Sequence, residues 1–250
     1  NDRPVRQVGD LLSMHWFFIA IISPFLSSII HHTDKFLLSK ISKESTVGSL
    51  IIFSTLFPVV ALPVLFIAGR QPFELLSNDI SLLIFAGLIS ALALLMYFFA
   101  LEREETSLVA PMFQLMPVFG YFLGIIVLNE YIDAGRVIAC VVVILGATFL
   151  SFEVEEEKGI RFKAKPMLLM VGASLLLTIS DVIFKKVTLD GDYAASLFWN
   201  FVGYGLFAAL LVIFVARFRR SFVSTIRTQS RKVVSLNLFN ELLQTVATTT

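Results

Sequence analysis

Charged residues divide this chain into a series of long apolar runs. Residues 1–10 are polar, and the first run, Leu11–Ile30, is interrupted only by His15. It does not read as a secretory signal, because it exceeds the ~7–15 apolar residues of a signal core. HHTDKFLLSK follows it instead of a small-residue cleavage site. Val47–Ala68, with Pro58 and Pro63, and Ile80–Leu101, rich in Ala, Leu and Phe, carry no charge. At a helical rise of ~1.5 Å per residue, each is long enough to cross a hydrocarbon layer ~30 Å thick. Thr106–Leu128 is the fourth uncharged run, bracketed by Glu102–Glu105 and Glu130. Val137–Phe152 is shorter and borrows Ile132–Arg136 at one end by snorkelling.

The stretch 153–165, within EVEEEKGIRFKAKP, is the most charged segment between any two runs and reads as a solvated linker. Beyond it, the sixth run, Pro166–Ser180, meets Asp181 and continues to Lys185 and Lys186. The seventh, Tyr193–Ala216, carries Asn200 near its middle. A basic loop, RFRRSFVSTIRTQSRK, leads to an eighth run that begins near Val233. The pattern predicts an all-α polytopic membrane protein. It breaks off inside the eighth run.

Duplicated halves are a common plan for membrane carriers. A shift of 147 residues places Asp34 on Asp181, Ser27 on Ser174, Ser49 on Ser196 and Leu50 on Leu197, with the second run on the seventh. Five spans per half is an odd number, so related halves must be inverted in the membrane. The expected units are 11–152, a linker at 153–165, and an incomplete 166–250. A complete version would have about 300 residues and ten spans.

Composition agrees with a membrane solvent. Hydrophobic residues make up 57% of the chain, 25 residues are Phe, only 16% are charged, and the mean hydropathy is +0.84. A formal charge of +1 argues against a nucleic-acid partner. Cys140, the one cysteine, can form neither an internal disulfide nor a CxxC site. There is no Walker loop, HExxH, GxSxG or metal-ligand spacing, so no cofactor, metal or catalytic residue is expected. His31 and His32 are adjacent and cannot both face one ion from a regular helix, so they are assigned, with His15, to helix ends at the membrane interface. Trp16 and Trp199 fit either interface anchors or cavity walls.

Within Thr106–Leu128, Pro111 and Pro117 each remove a backbone donor, and Gly120 and Gly124 form a GxxxG step that admits another helix closely. A kinked, tightly packed membrane helix is expected. The segment Ala100–Glu153 resembles the second half of an EamA-type domain of the drug/metabolite transporter superfamily. Ala110, Pro111, Pro117, Val118, Phe119, Gly120, Glu130 and Gly146 carry the likeness. SDVIFKK (180–186) and FNELLQ (239–244) are similar to the opening and third helices of a second such domain. The resemblance implies a ten-helix carrier working by alternating access and does not name a substrate.

The informative polar residues are Asn237, Asn240, Glu241 and Gln244, whose spacing places them on one stripe of the eighth helix, extended by Thr248. A carboxylate and amides in an apolar span are costly unless they meet water or each other. The stripe therefore lines a translocation cavity, with Glu241 as a cation or proton site, or else forms an amphipathic surface or interhelical amide glue. Asn200 and Asp181 are further pathway candidates, Asp181 alternatively pairing with Lys185 one turn away. In the first half the register-matched positions are Ser90, Leu94 and Tyr97, which makes the expected cavity chemically lopsided.

Basic residues crowd the loops after the first, third, fifth and seventh runs, which puts those loops in the cytoplasm and the N-terminus outside. The family resemblance implies cytoplasmic termini, so orientation stays open. The expected function is transport of a small polar or amphipathic metabolite (an amino acid, nucleoside, sugar or drug-like solute) in a plasma or inner membrane. Secondary active transport or exchange, with proton or counter-substrate coupling, is the expected mode. The other readings are a non-transporting membrane scaffold or subunit, which would show an apolar outward patch without a polar inner stripe, and a lipid-acting intramembrane protein, for which no nucleophile and base are found.

Overall fold

Uncharged runs become helices in the computed structural model, which describes residues 25–40, 46–68, 75–128, 134–150, 152–155, 159–162, 164–189, 191–228 and 231–249. His15, Trp16, Glu130 and the start of the first run lie outside the described residues, as does the side chain of Thr248. Among the described residues, five segments are long and apolar enough to cross a membrane: Val47–Ile67, Ser77–Arg103, Thr106–Val127, Ala164–Thr188 and Tyr193–Phe214.

The helix over residues 25–40 (α1) runs ten residues past Ile30, where the apolar run stops. It carries His31, His32, Asp34 and Lys35 on helical backbone, because several of these find partners on other helices. Lys35 Nζ donates to the carbonyls of Leu101 (2.9 Å) and Glu104 (2.7 Å), at the end of α4 (Ser77–Arg103). Those carbonyls lack intrahelical partners, and an ammonium at a helix C-terminus also complements its dipole.

The second run breaks in two, α2 (Thr46–Val60) and α3 (Leu62–Ala68). Proline cannot donate, so the chain turns at Ala61, whose N–H bonds the Pro58 carbonyl at 3.0 Å. The fourth run is built of three pieces: α5 (Thr106–Val109), a 3₁₀ segment (Ala110–Leu115) and α6 (Met116–Leu128). Pro111 and Pro117 stand in the opening turns of the latter two, where their missing N–H costs least. The tighter winding leaves carbonyls short of donors. A hydroxyl on α8 (Ala164–Thr188) reaches one of them, Ser174 Oγ donating to Met112 O at 3.1 Å, while Thr178 Oγ1, which donates to Ser174 O at 2.7 Å, lies 3.4 Å from Met116 O.

Between α7 (Ala134–Leu150) and α8, the expected linker is not wholly irregular. Backbone pairing joins β1 (Phe152–Glu155) to β2 (Gly159–Phe162), antiparallel, with Phe152 opposite Phe162 and Glu155 opposite Gly159. The described fold is thus α-helical with one short hairpin. In α9 (Tyr193–Phe214), Asp192 caps the start by accepting from Ala195 N–H at 3.0 Å.

The expected basic loop after α9 is instead a helix, α10 (Ala216–Thr228), followed by α11 (Arg231–Thr249). Phe218 and Phe222 lie one turn apart and pack inward, Phe222 meeting Phe53 of α2 at 4.8 Å between ring centroids. Thr225 is buried and accepts from Ser49 Oγ at 2.6 Å. A loop rich in arginine is a helix here because these inward residues recur at helical spacing.

At the centre is α4, which packs along α8 and α9 and touches α2. Its crossing with α9 is made by glycine. A Cβ placed on Gly203 would strike the Ile84 carbonyl oxygen and lie 2.9 Å from Gly87 Cα. By contrast, a Cβ on Gly120 would meet only the Thr178 methyl, at 3.5 Å. The backbones of α4 and α9 therefore meet closely at Gly87 and Gly203, whereas Gly120 leaves room for a methyl group.

Candidate functional site

α11 turns its polar stripe inward. Asn237, Asn240 and Glu241 are buried and Gln244 is half-buried, whereas Leu238, Phe239 and Leu242 are exposed. An apolar outer face and a polar inner one are the reverse of a water-facing helix, and fit a helix with lipid outside and polar partners inside.

Those partners come from the other half of the chain. Asp34 on α1 is 3% exposed, and its two oxygens accept from neutral donors: Tyr97 Oη of α4 at 2.9 Å and Asn240 Nδ2 at 2.7 Å. Tyr97 donates its one proton to Asp34, and its oxygen lies 2.9 Å from His31 Nδ1, where an imidazole protonated on Nδ1 can donate to it. The His31 ring stacks on Phe113 at 5.2 Å, and Tyr97 lies 5.3 Å from that same ring. Next to Asn240, Glu241 accepts from Ser54 of α2, both residues being buried. Asn240 Oδ1 has no hydrogen-bond partner among the described residues. Two carboxylates thus sit inside the bundle, tied to α1, α2, α4 and α11.

Three of these residues escaped the sequence reading of the site. His31 is half-buried in an aromatic stack and hydrogen-bonded, and it stands within α1 and not at the helix end expected for it; His32 is exposed. Asp34 had stood out only as the register mate of Asp181, and Ser54 not at all. Tyr97, from the first half, is in the cluster. With His31, Asp34 and Ser54 it brings acidic and hydrogen-bonding groups from the N-terminal part of the chain to the α11 stripe. The signal available in sequence was an aspartate and a histidine one turn apart directly after an apolar run.

The remaining candidates lie elsewhere. Asp181 is exposed by surface area and lines an open cavity of about 310 Å³ with Met116, Pro117, Gly120, Gly124, Thr178, Val182 and Lys185. Asn200 is buried where α9 crosses α4, its carbonyl against Gly87. Beside them, Ser90 Oγ donates to Ser180 Oγ at 2.7 Å, which in turn donates to the Ala86 carbonyl at 3.0 Å. This polar seam joins α4 to α8.

Among the described residues no group of three or more His, Cys, Asp or Glu side chains could hold a metal ion. No curated protein matches the sequence significantly. Membrane-length apolar helices, a proline-interrupted fourth span and buried carboxylates accompany a match of residues 14–152, more than half the chain, to the EamA-like transporter family of the drug/metabolite transporter superfamily, and the protein, an integral multi-pass membrane protein, belongs to that family.

Proposed function

We propose that this transporter moves a small polar or amphipathic metabolite by alternating access, as a secondary active carrier or exchanger, and that Asp34, Tyr97, Asn240 and Glu241 hold the solute or its coupling proton. The observation that carries this reading is the pair of buried carboxylates, contributed by distant parts of the chain and bonded to neutral donors. A charge in an apolar span is expensive, so a carboxylate kept there without need is a standing cost. Exchange of a proton or cationic group at such a pair offsets that cost in each half-cycle. The inverted ten-helix arrangement belongs to the same proposal. In that arrangement the 3₁₀ break at Pro111 and the start of α6 at Pro117 supply the bend, Gly120 and Gly124 supply the packing surface, and Asp181 and Asn200 lie along the second half of the pathway.

The test is counterflow into proteoliposomes that hold the full-length parent protein, using labelled amino acids, nucleosides and sugars in turn. Saturable exchange of one class is expected. Absence of exchange for every class, from protein shown to be folded, would support a non-transporting scaffold instead.

A further inference from the structure

At the end of the bundle where α4 stops and α8 starts there is an open groove of about 370 Å³, lined by Phe99, Arg103, Lys165, Leu168 and Leu169. Its walls are apolar and its two polar members are both cations. Leu168 is 73% exposed, and Arg103 and Lys165 are exposed as well. Glu102, Glu104 and Glu105 are neighbours in sequence but are not among the lining residues. Both flanking helices, Ser77–Arg103 and Ala164–Thr188, are of membrane-crossing length, and the groove lies beside the last turn of one and the first of the other, where a span meets the headgroup region.

The basic surface continues from there. Phe99 meets Phe218 of α10 at 6.4 Å between ring centroids. On the outer side of α10, Arg219, Arg220 and Arg227 are exposed, together with Val223 and Ile226. At 100° per residue, Ile226, Arg219 and Val223 share one flank about 60° wide. Apolar side chains beside arginines on one exposed helix flank are what an interfacial helix presents to headgroups.

We propose that the groove is a binding site for an anionic phospholipid. Its phosphate sits between Arg103 and Lys165, one acyl chain runs along Phe99, Leu168 and Leu169, and the α10 arginines face further anionic headgroups. A soluble anion would use the two cations but not the apolar wall; a zwitterionic lipid would use the wall but gain little from the cations. The site is separate from the Asp34 cluster, so its failure leaves the transport reading untouched.

The test is native mass spectrometry of the full-length protein released from nanodiscs of equimolar phosphatidylglycerol and phosphatidylcholine. Retained phosphatidylglycerol should exceed phosphatidylcholine at least ~5-fold, and Arg103→Gln with Lys165→Gln should bring the ratio to ~1–2. Equal retention by the parent, or an unchanged ratio in the double variant, overturns the proposal. Should that variant fail to fold, the parent decides alone: its preference should fall below ~2-fold between about 50 and 500 mM salt, and a salt-independent preference overturns the site. Adding about 20 mM inorganic phosphate at fixed ionic strength should leave the ratio unchanged. Displacement by phosphate would make this a soluble-anion site and refute the lipid assignment.

Discussion

Gly203→Leu is expected to abolish the folded protein. Any Cβ at this position strikes the Ile84 carbonyl oxygen and falls 2.9 Å from Gly87 Cα and 3.1 Å from Leu88 N. All three obstacles are backbone, so no rotamer change relieves them. α4 and α9 must move apart, and α4 is the element on which α2, α8 and α9 all pack. Overpacking alone costs ~1–3 kcal/mol, and separating a glycine-based helix crossing also gives up contacts along both helices. In detergent, the monodisperse fraction on size-exclusion chromatography should fall at least ~10-fold relative to the parent. Gly120→Ala is the control, since its methyl meets only Thr178 at 3.5 Å and should leave the elution profile near that of the parent. A parent-like yield of Gly203→Leu would mean that the crossing is not as close as described.

Asp34→Asn is expected to leave a folded protein that does not transport. The substitution removes the charge and keeps the shape. Asn240 can turn its amide so that Oδ1, which has no hydrogen-bond partner among the described residues, accepts from the new amide, and the Tyr97 hydroxyl can still donate to the new carbonyl. Hydrogen bonding is conserved, so thermal stability should change by only a few degrees. Solute exchange, if it needs the carboxylate, should drop at least ~100-fold, equivalent to ~2.7 kcal/mol. Tyr97→Phe keeps the charge but removes a donor, so its loss of exchange should be smaller and its loss of stability larger. Full exchange activity in folded Asp34→Asn would relegate the cluster to holding helices together.

Hydropathy found the spans because lipid imposes one simple rule, an uncharged length, and α4, α8 and α9 obey it at nearly the expected residues. It failed where tertiary partners override the rule. α1 continues through charged residues because Lys35 finds the end of α4 and Asp34 finds Tyr97 and Asn240, contacts 63 or more residues away in the chain. The helix in the basic segment was concealed by its arginines, although Phe218, Phe222 and Thr225 already had helical spacing. Gly87 and Gly203 were invisible because each is a single glycine whose importance depends on the other. The inward stripe of Asn237, Asn240 and Glu241 was readable, because polar residues at intervals of three and four in an apolar helix mark one face. Which residues answered that stripe was not, since Asp34 and Ser54 lie about two hundred residues earlier.

Membership of the EamA-like family points to transport; that the buried carboxylates couple it is our proposal, and Glu241 is the residue that isolates this question. The decisive measurement is the pH dependence of solute exchange by Glu241→Gln against the parent, in proteoliposomes with and without an imposed pH gradient. In the parent the rate should change several-fold across about two pH units and respond to the gradient. In folded Glu241→Gln any residual exchange should be flat with pH and indifferent to the gradient. Exchange by the variant that keeps the parent's pH dependence would contradict a coupling role for this site.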